Sequence, residues 1–162
     1  MSTADAVARE ASWLSQFGDG LPALLAAQGG PWQVVQAYWP RTPATNKTGI
    51  YVLRPLLDDQ RASSQRIRPR YQMRLRLIWP VTTTTTSLLE TAQADFDAAT
   101  DLLIQRIRGP LGDKTHGSRF LSAGEVPRSV TVQWEDPEIT MAQHKQLRAS
   151  VHYFIDDLEV ND

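Results

Sequence analysis

The sequence predicts an α+β fold: a mixed or antiparallel β-sheet with one long helix packed on one face, preceded by an N-terminal helix and a β-hairpin. Three observations carry this expectation. From Arg66 to Trp79 basic and apolar residues alternate with period two, as in a strand that sends successive side chains to opposite faces. From Leu88 to Ile107, the residues Leu88, Leu89, Ala92, Phe96, Ala99, Leu103 and Ile107 recur every three or four positions, the spacing of one helical stripe. The length of 162 residues, 41% of them hydrophobic and 22% charged, fits one domain spanning 1–162. A domain of that size buries about 70% of the surface its unfolded chain exposes.

In chain order, Val7, Ala11 and Leu14 fall at helical spacing within Ala4 to Phe17, and Gly18-Asp19-Gly20 stops the pattern. A short apolar piece, Leu21 to Gln28, ends in Gly29-Gly30-Pro31. Trp32–Trp39 and Gly49–Arg54 are rich in aromatic and β-branched residues, and Pro40, Pro43, Thr45 and Asn46 between them suggest a hairpin turn. The polar stretch Leu57 to Gln65 is expected to be a mobile connection. After Pro80 and a threonine run, Ser87 and Glu90 have capping-box spacing, so the long helix is expected to start there and to close at Gly109-Pro110. Leu111 to Arg128 carries scattered glycines and is expected to be a long contact loop. Val130–Trp134 and Leu147–Ile155 alternate as strands, with a turn at Asp136-Pro137 and acids at Asp156, Asp157, Glu159 and Asp162 after the last strand.

Charge and composition narrow the function. The formal net charge of −1 provides no global field for nucleic acid or an anionic membrane, so such contacts would need a local cluster. The absence of cysteine removes disulfides, thiolate metal sites and a cysteine nucleophile, and suits a reducing cytoplasm. Asp5, Arg9 and Glu10 interrupt the apolar residues of the first segment, which is wrong for a signal peptide, and no apolar run approaches the roughly 18 residues that cross a bilayer. An expected absence of membrane contact follows.

No catalytic, cofactor-binding or metal-binding set is expected, and the chain reads as a non-enzyme. Gly109 to Thr115 superficially suggests a phosphate loop, but Asp113 stands where glycine should precede the lysine, and the segment follows a helix. His116, His144 and His152 are not at chelating spacing. Asp58-Asp59 and Asp156-Asp157 are adjacent pairs, whose side chains point apart. The unusual feature is basic. Arg66, Arg68, Arg70, Arg74 and Arg76 share one strand face, a row of guanidinium groups suited to carboxylates of another subunit, acids of the same chain, or phosphates.

The element order, above all Tyr71-Gln-Met-Arg-Leu-Arg-Leu-Ile-Trp-Pro80 running into the helix Leu88 to Arg108 and the strand Leu147 to Asp157, resembles the tail terminator proteins of long-tailed bacteriophages, the lambda-type minor tail protein family. The resemblance implies a homohexameric ring that caps the tail tube, ends its polymerisation and meets the head–tail connector or head completion protein. The expected partners are other copies of the chain, the tail tube protein, the connector and genomic DNA threading the hole without sequence-specific binding. The expected location is the tail–neck junction of the virion, after assembly in the host cytoplasm. The family has no catalytic residues to carry over, so interface roles for the five arginines rest on charge alone. The longer N-terminus, Met1 to Gly30, and the basic row depart from shorter relatives. Two other readings stay open: another neck protein, such as a head completion or tail tube protein, or a nucleic-acid-binding module using the Arg66–Arg76 row. A small hydrolase acting through His152 and Asp156 ranks last.

Overall fold

The computed structural model describes residues 2–15, 32–43, 46–63, 66–81, 86–108, 116, 122–123 and 130–156, with backbone alone at 58–63, 66–69, 86, 108, 122–123 and 156. Its order is α1 (Thr3–Leu14), β1 (Val34–Ala37), β2 (Gly49–Ser63), β3 (Arg66–Pro80), α2 (Thr86–Arg108), β4 (Ser122–Ala123), β5 (Thr131–Trp134), α3 (Pro137–His144) and β6 (Gln146–Asp156). The expected α+β class holds. The mixed sheet runs β1-β2-β3-β6-β4, and β5 also pairs with β6.

β3 sits at the centre because its alternation serves two faces at once. It pairs antiparallel with β2 from Arg66 to Ile78 and with β6 from Arg70 to Pro80. Tyr71, Met73, Leu75 and Leu77 are buried, as are Val151, Tyr153 and Ile155 of β6 and Val52 of β2. Phe96, Ala99, Leu103 and Ile107 of α2 and Ala6, Val7, Ala11 and Leu14 of α1 close over the same face, forming one core. Each such large side chain contributes about 1.5–3 kcal/mol by leaving water.

Several local expectations are corrected. β1 pairs with β2 in parallel, Val34 opposite Gly49 through Ala37 opposite Val52, so Trp32–Trp39 and Gly49–Arg54 are not a hairpin. The chain turns at Tyr38, whose φ is 66°, and re-enters the sheet from the same end. The hairpin is instead β2–β3, and Leu57 to Ser63 is strand, not a mobile connection. Cross-strand pairing with β3 overrides its polar composition. The long helix begins at Thr86, which places Ser87 inside it; the Ser87 carbonyl accepts from the Thr91 hydroxyl at 3.1 Å. The capping box lies in α1, where the Ser2 hydroxyl accepts from the Asp5 N–H and the Asp5 carboxylate accepts from the Ser2 N–H. The Ser2 backbone N–H, and then its hydroxyl, lower the pKa of the Asp5 carboxyl from its ordinary value. Asp136-Pro137 does not merely turn the chain but starts α3, with Asp136 as N-cap, Pro137 in the first turn and Lys145 in a left-handed C-cap at φ 53°. Phe17, the Leu21–Gln28 piece, the threonine run Thr82–Thr85, Gly109-Pro110 and the acids beyond Asp156 lie outside the described residues, as does most of Leu111–Arg128.

Within the expected contact loop, the described parts are β4, which pairs with the end of β6, and His116, which is fully buried. Its Nδ1 lies 2.8 and 3.0 Å from the two carboxylate oxygens of the equally buried Glu10, and its Nε2 lies 2.8 Å from the Ile107 carbonyl. Both ring nitrogens lie within hydrogen-bond distance of oxygens, so the buried ring is held on both sides. The ring stacks on Trp13 at 3.6 Å and 4°, and the Arg106 guanidinium sits 4.5 Å from the same indole while donating to the Trp13 carbonyl. Burial and the nearby Glu10 carboxylate raise the Tyr153 phenol well above its ordinary value. This polar knot ties α1 to the end of α2 and to β6.

Candidate functional site

The helices cover one face of the sheet, and the arginine row lies on the other. The register shows why. Gln72, Arg74 and Arg76 alternate with buried Met73 and Leu75, and their cross-strand neighbours on β6 are Phe154, His152 and Ser150, all partly exposed. On β2 the corresponding positions are Leu56, Leu53 and Tyr51. Arg66 and Arg68 continue the row by position, beyond the end of β6.

The row is partly answered from within the chain. Arg76 Nη2 is 2.7 Å from Glu135 Oε1. Arg74 donates from Nε and Nη2 to the Arg54 carbonyl at 3.2 and 2.9 Å, near the irregularity in β2 between Leu53 and Leu56. Arg70 stands in register between Asp58 on one side and Asp156 on the other, and its guanidinium lies 6.0 Å from the Phe154 ring. Such half-exposed pairs each contribute about 0–1 kcal/mol, so they orient the guanidinium groups more than they stabilise the fold. His152 adds no charge at neutral pH, because burial, and then Arg74, push its pKa below the ordinary value.

Sequence reasoning missed a sixth member of this face. Arg148 of β6 is opposite Ile78 and donates from Nε and Nη2 to Gln146 Oε1 at 3.1 and 3.0 Å, with its guanidinium 5.8 Å from the Trp39 ring. Burial, then the like charge of Arg76, lower its pKa, with Glu135 opposing. An arginine bonded to a neutral amide beside another arginine keeps its charge available to an incoming anion. The period-two count from Gln146 already placed position 148 opposite the covered face; what the sequence hid was that β6 lies directly against β3. Lys145 and His144 join Arg148, Trp39, Pro43 and Gln146 around a cleft of about 490 Å³ that, among the described residues, no acid lines.

Trp39 closes this end of the face. Its ring meets Tyr51 at 5.0 Å, and the Tyr51 ring folds back over Gly49, where an added Cβ would come within 2.9 Å of it. Ile78, opposite Gly49, is buried here despite its outward position. At the other end, Leu56 and Leu57 are exposed on successive, oppositely directed positions of β2, and among the described residues the β2–β3 hairpin runs on past the last β6 pair, Arg70 opposite Asp156. Neighbouring apolar residues exposed on both sides of a strand mark a place for another surface.

No group of three metal-ligating side chains occurs among the described residues, and no described helix is long and apolar enough to cross a membrane. Compared with known proteins, the chain matches no family model, and no curated protein matches it significantly.

Proposed function

We propose that this chain is a structural subunit of a bacteriophage tail–neck junction, a ring-forming tail terminator that caps the tail tube, ends its polymerisation and joins it to the head connector. The observation that carries the reading is the open sheet face, with oriented arginines at its centre and the exposed Leu56 and Leu57 of β2 beside it. Such a face suits burial against further copies of the chain, with the tail tube protein and the connector or head completion protein above and below. A homohexamer around a hole through which genomic DNA passes is the form that the family resemblance brings. Arginines whose partners are carbonyl oxygens and partial ion pairs suit such contacts, because they fix geometry before association and are desolvated only when a partner arrives. The five row arginines, with Arg148, are the interface residues in this reading.

Electron microscopy of the purified protein, alone and with tail tubes, tests it. Rings of one size on tube ends are the expected images; tubes that continue to lengthen in its presence contradict the reading. A second reading, a nucleic-acid-binding module, has one observation in its favour: Trp39 beside Arg148 pairs an aromatic ring with a cation, as single-stranded nucleic acid sites do. That reading requires affinity that falls steeply with salt as counterions are released.

A further inference from the structure

The net charge of −1 conceals a segregation of charge between the two layers. Behind the sheet, α2 turns Phe96, Ala99, Leu103 and Ile107 to the core and Glu90, Ala94, Asp97 and Asp101 to solvent. Spacings of four, three and four place those last four residues on one stripe of the helix. Asp95 is exposed as well, and the bases of α2 are confined to its end, where Arg106 is buried against Trp13. None of Glu90, Asp95, Asp97 and Asp101 makes an ion pair among the described residues. Like charges four residues apart destabilise an isolated helix, so the Asp97–Asp101 pair on this stripe does not serve the helix itself. Across the sheet, the open face carries Arg70, Arg74, Arg76 and Arg148 with Lys145 at its edge, against Glu135 paired with Arg76 and the positions of Asp58 and Asp156 in register with Arg70.

We propose that the acidic α2 stripe of one copy docks on the arginine face of a second copy. This rests on the assembly reading above and names the partner surface for the face. The stripe and the arginine row are different surfaces that meet at the edge where Asp97 and Arg148 line one cleft, so the contact is heterologous: each copy offers its face to one neighbour and its helix to the next. Repetition of such a contact gives a closed ring when the rotation between copies closes, and a filament when it does not.

Four proteins test this by sedimentation velocity over a range of concentration and salt, with thermal melting to verify folding. They are the wild type, Arg74→Glu, the exposed-helix variant Asp97→Lys with Asp101→Lys, and a chain combining all three changes. The wild type is expected to self-associate, less so as salt rises. Either single-surface variant is expected to weaken association about tenfold or more, and the combined variant to recover a substantial part of it. If Arg74→Glu does not fold, the exposed-helix variant and the salt series decide alone. A wild type that associates while the helix variant matches it overturns this docking and leaves the ring reading standing. Single variants that lose association with no recovery in the combined chain overturn the pairing. A wild type that remains one chain at every concentration overturns the docking, and rings on tube ends then decide the ring reading separately.

Discussion

Consecutive residues of β3 show two environments 3.3 Å apart along one strand. Leu75 has no exposed surface, packed between the sheet and the helices, while Arg74 and Arg76 on either side are half-buried, held by a carbonyl and a glutamate. The covered face is held by apolar area lost from water; the open face holds its side chains in place through contacts that contribute little energy. A strand in which alternate positions differ this sharply is stabilised by one side and available for contact on the other. Substitutions should therefore separate stability from assembly according to the parity of the residue number.

The largest effect is expected at the polar exception on the covered side. Glu10→Ala leaves His116 buried without its carboxylate, and breaking such a pair costs about 3–5 kcal/mol. Chemical denaturation read by tryptophan fluorescence, to which Trp13 under the stacked His116 ring contributes, measures it. Leu75→Ala is expected to cost about 2–5 kcal/mol through the cavity it leaves, seen as a lowered melting temperature. Its neighbour should behave oppositely. Arg76→Ala is expected to change stability by about 0–1 kcal/mol, since Glu135 can return to water, while weakening association measurably in the sedimentation assay. A melting loss at Arg76 equal to that at Leu75 would break the contrast between the faces.

The smallest effect concerns pH. The folded His152 pKa is lowered by burial and by Arg74, so the unfolded chain takes up its proton first as pH falls. The fold should lose stability as pH drops below the ordinary histidine value, until the folded pKa is passed, and His152→Gln should flatten the wild-type slope in that window. An unchanged slope in the variant would mean that neither burial nor Arg74 lowers this histidine in the folded chain.

Much of this was legible in the sequence where pattern and packing agree. The β3 alternation and the α2 stripe are long enough for periodicity to fix both element type and inward face. Short elements escaped. α3 has eight residues and few apolar ones, so its signal was the Asp136-Pro137 cap alone, which reads equally as a turn. The β1–β2 pairing was misjudged because aromatic and β-branched content identifies strands but not their relative direction. Leu57 to Ser63 was misjudged because the cross-strand pairing that makes it a strand lies in other residues. Of the site, the row on β3 was legible from parity, whereas Arg148, Glu135 and the Trp39 cover required the strand order. Nothing in the sequence linked Glu10 to His116, which are 106 residues apart and meet only through the fold.

Arginine-selective covalent labelling, read residue by residue by mass spectrometry, tests the central claim most directly. The protein would be labelled at a concentration where its mass shows association and again after dilution to single chains. The account predicts that Arg70, Arg74, Arg76 and Arg148 label more slowly in the associated form, while exposed Arg9 and Arg41 label equally in both. Equal labelling of the four open-face arginines in both states, or a mass that stays at 18.2 kDa at every concentration, would contradict it.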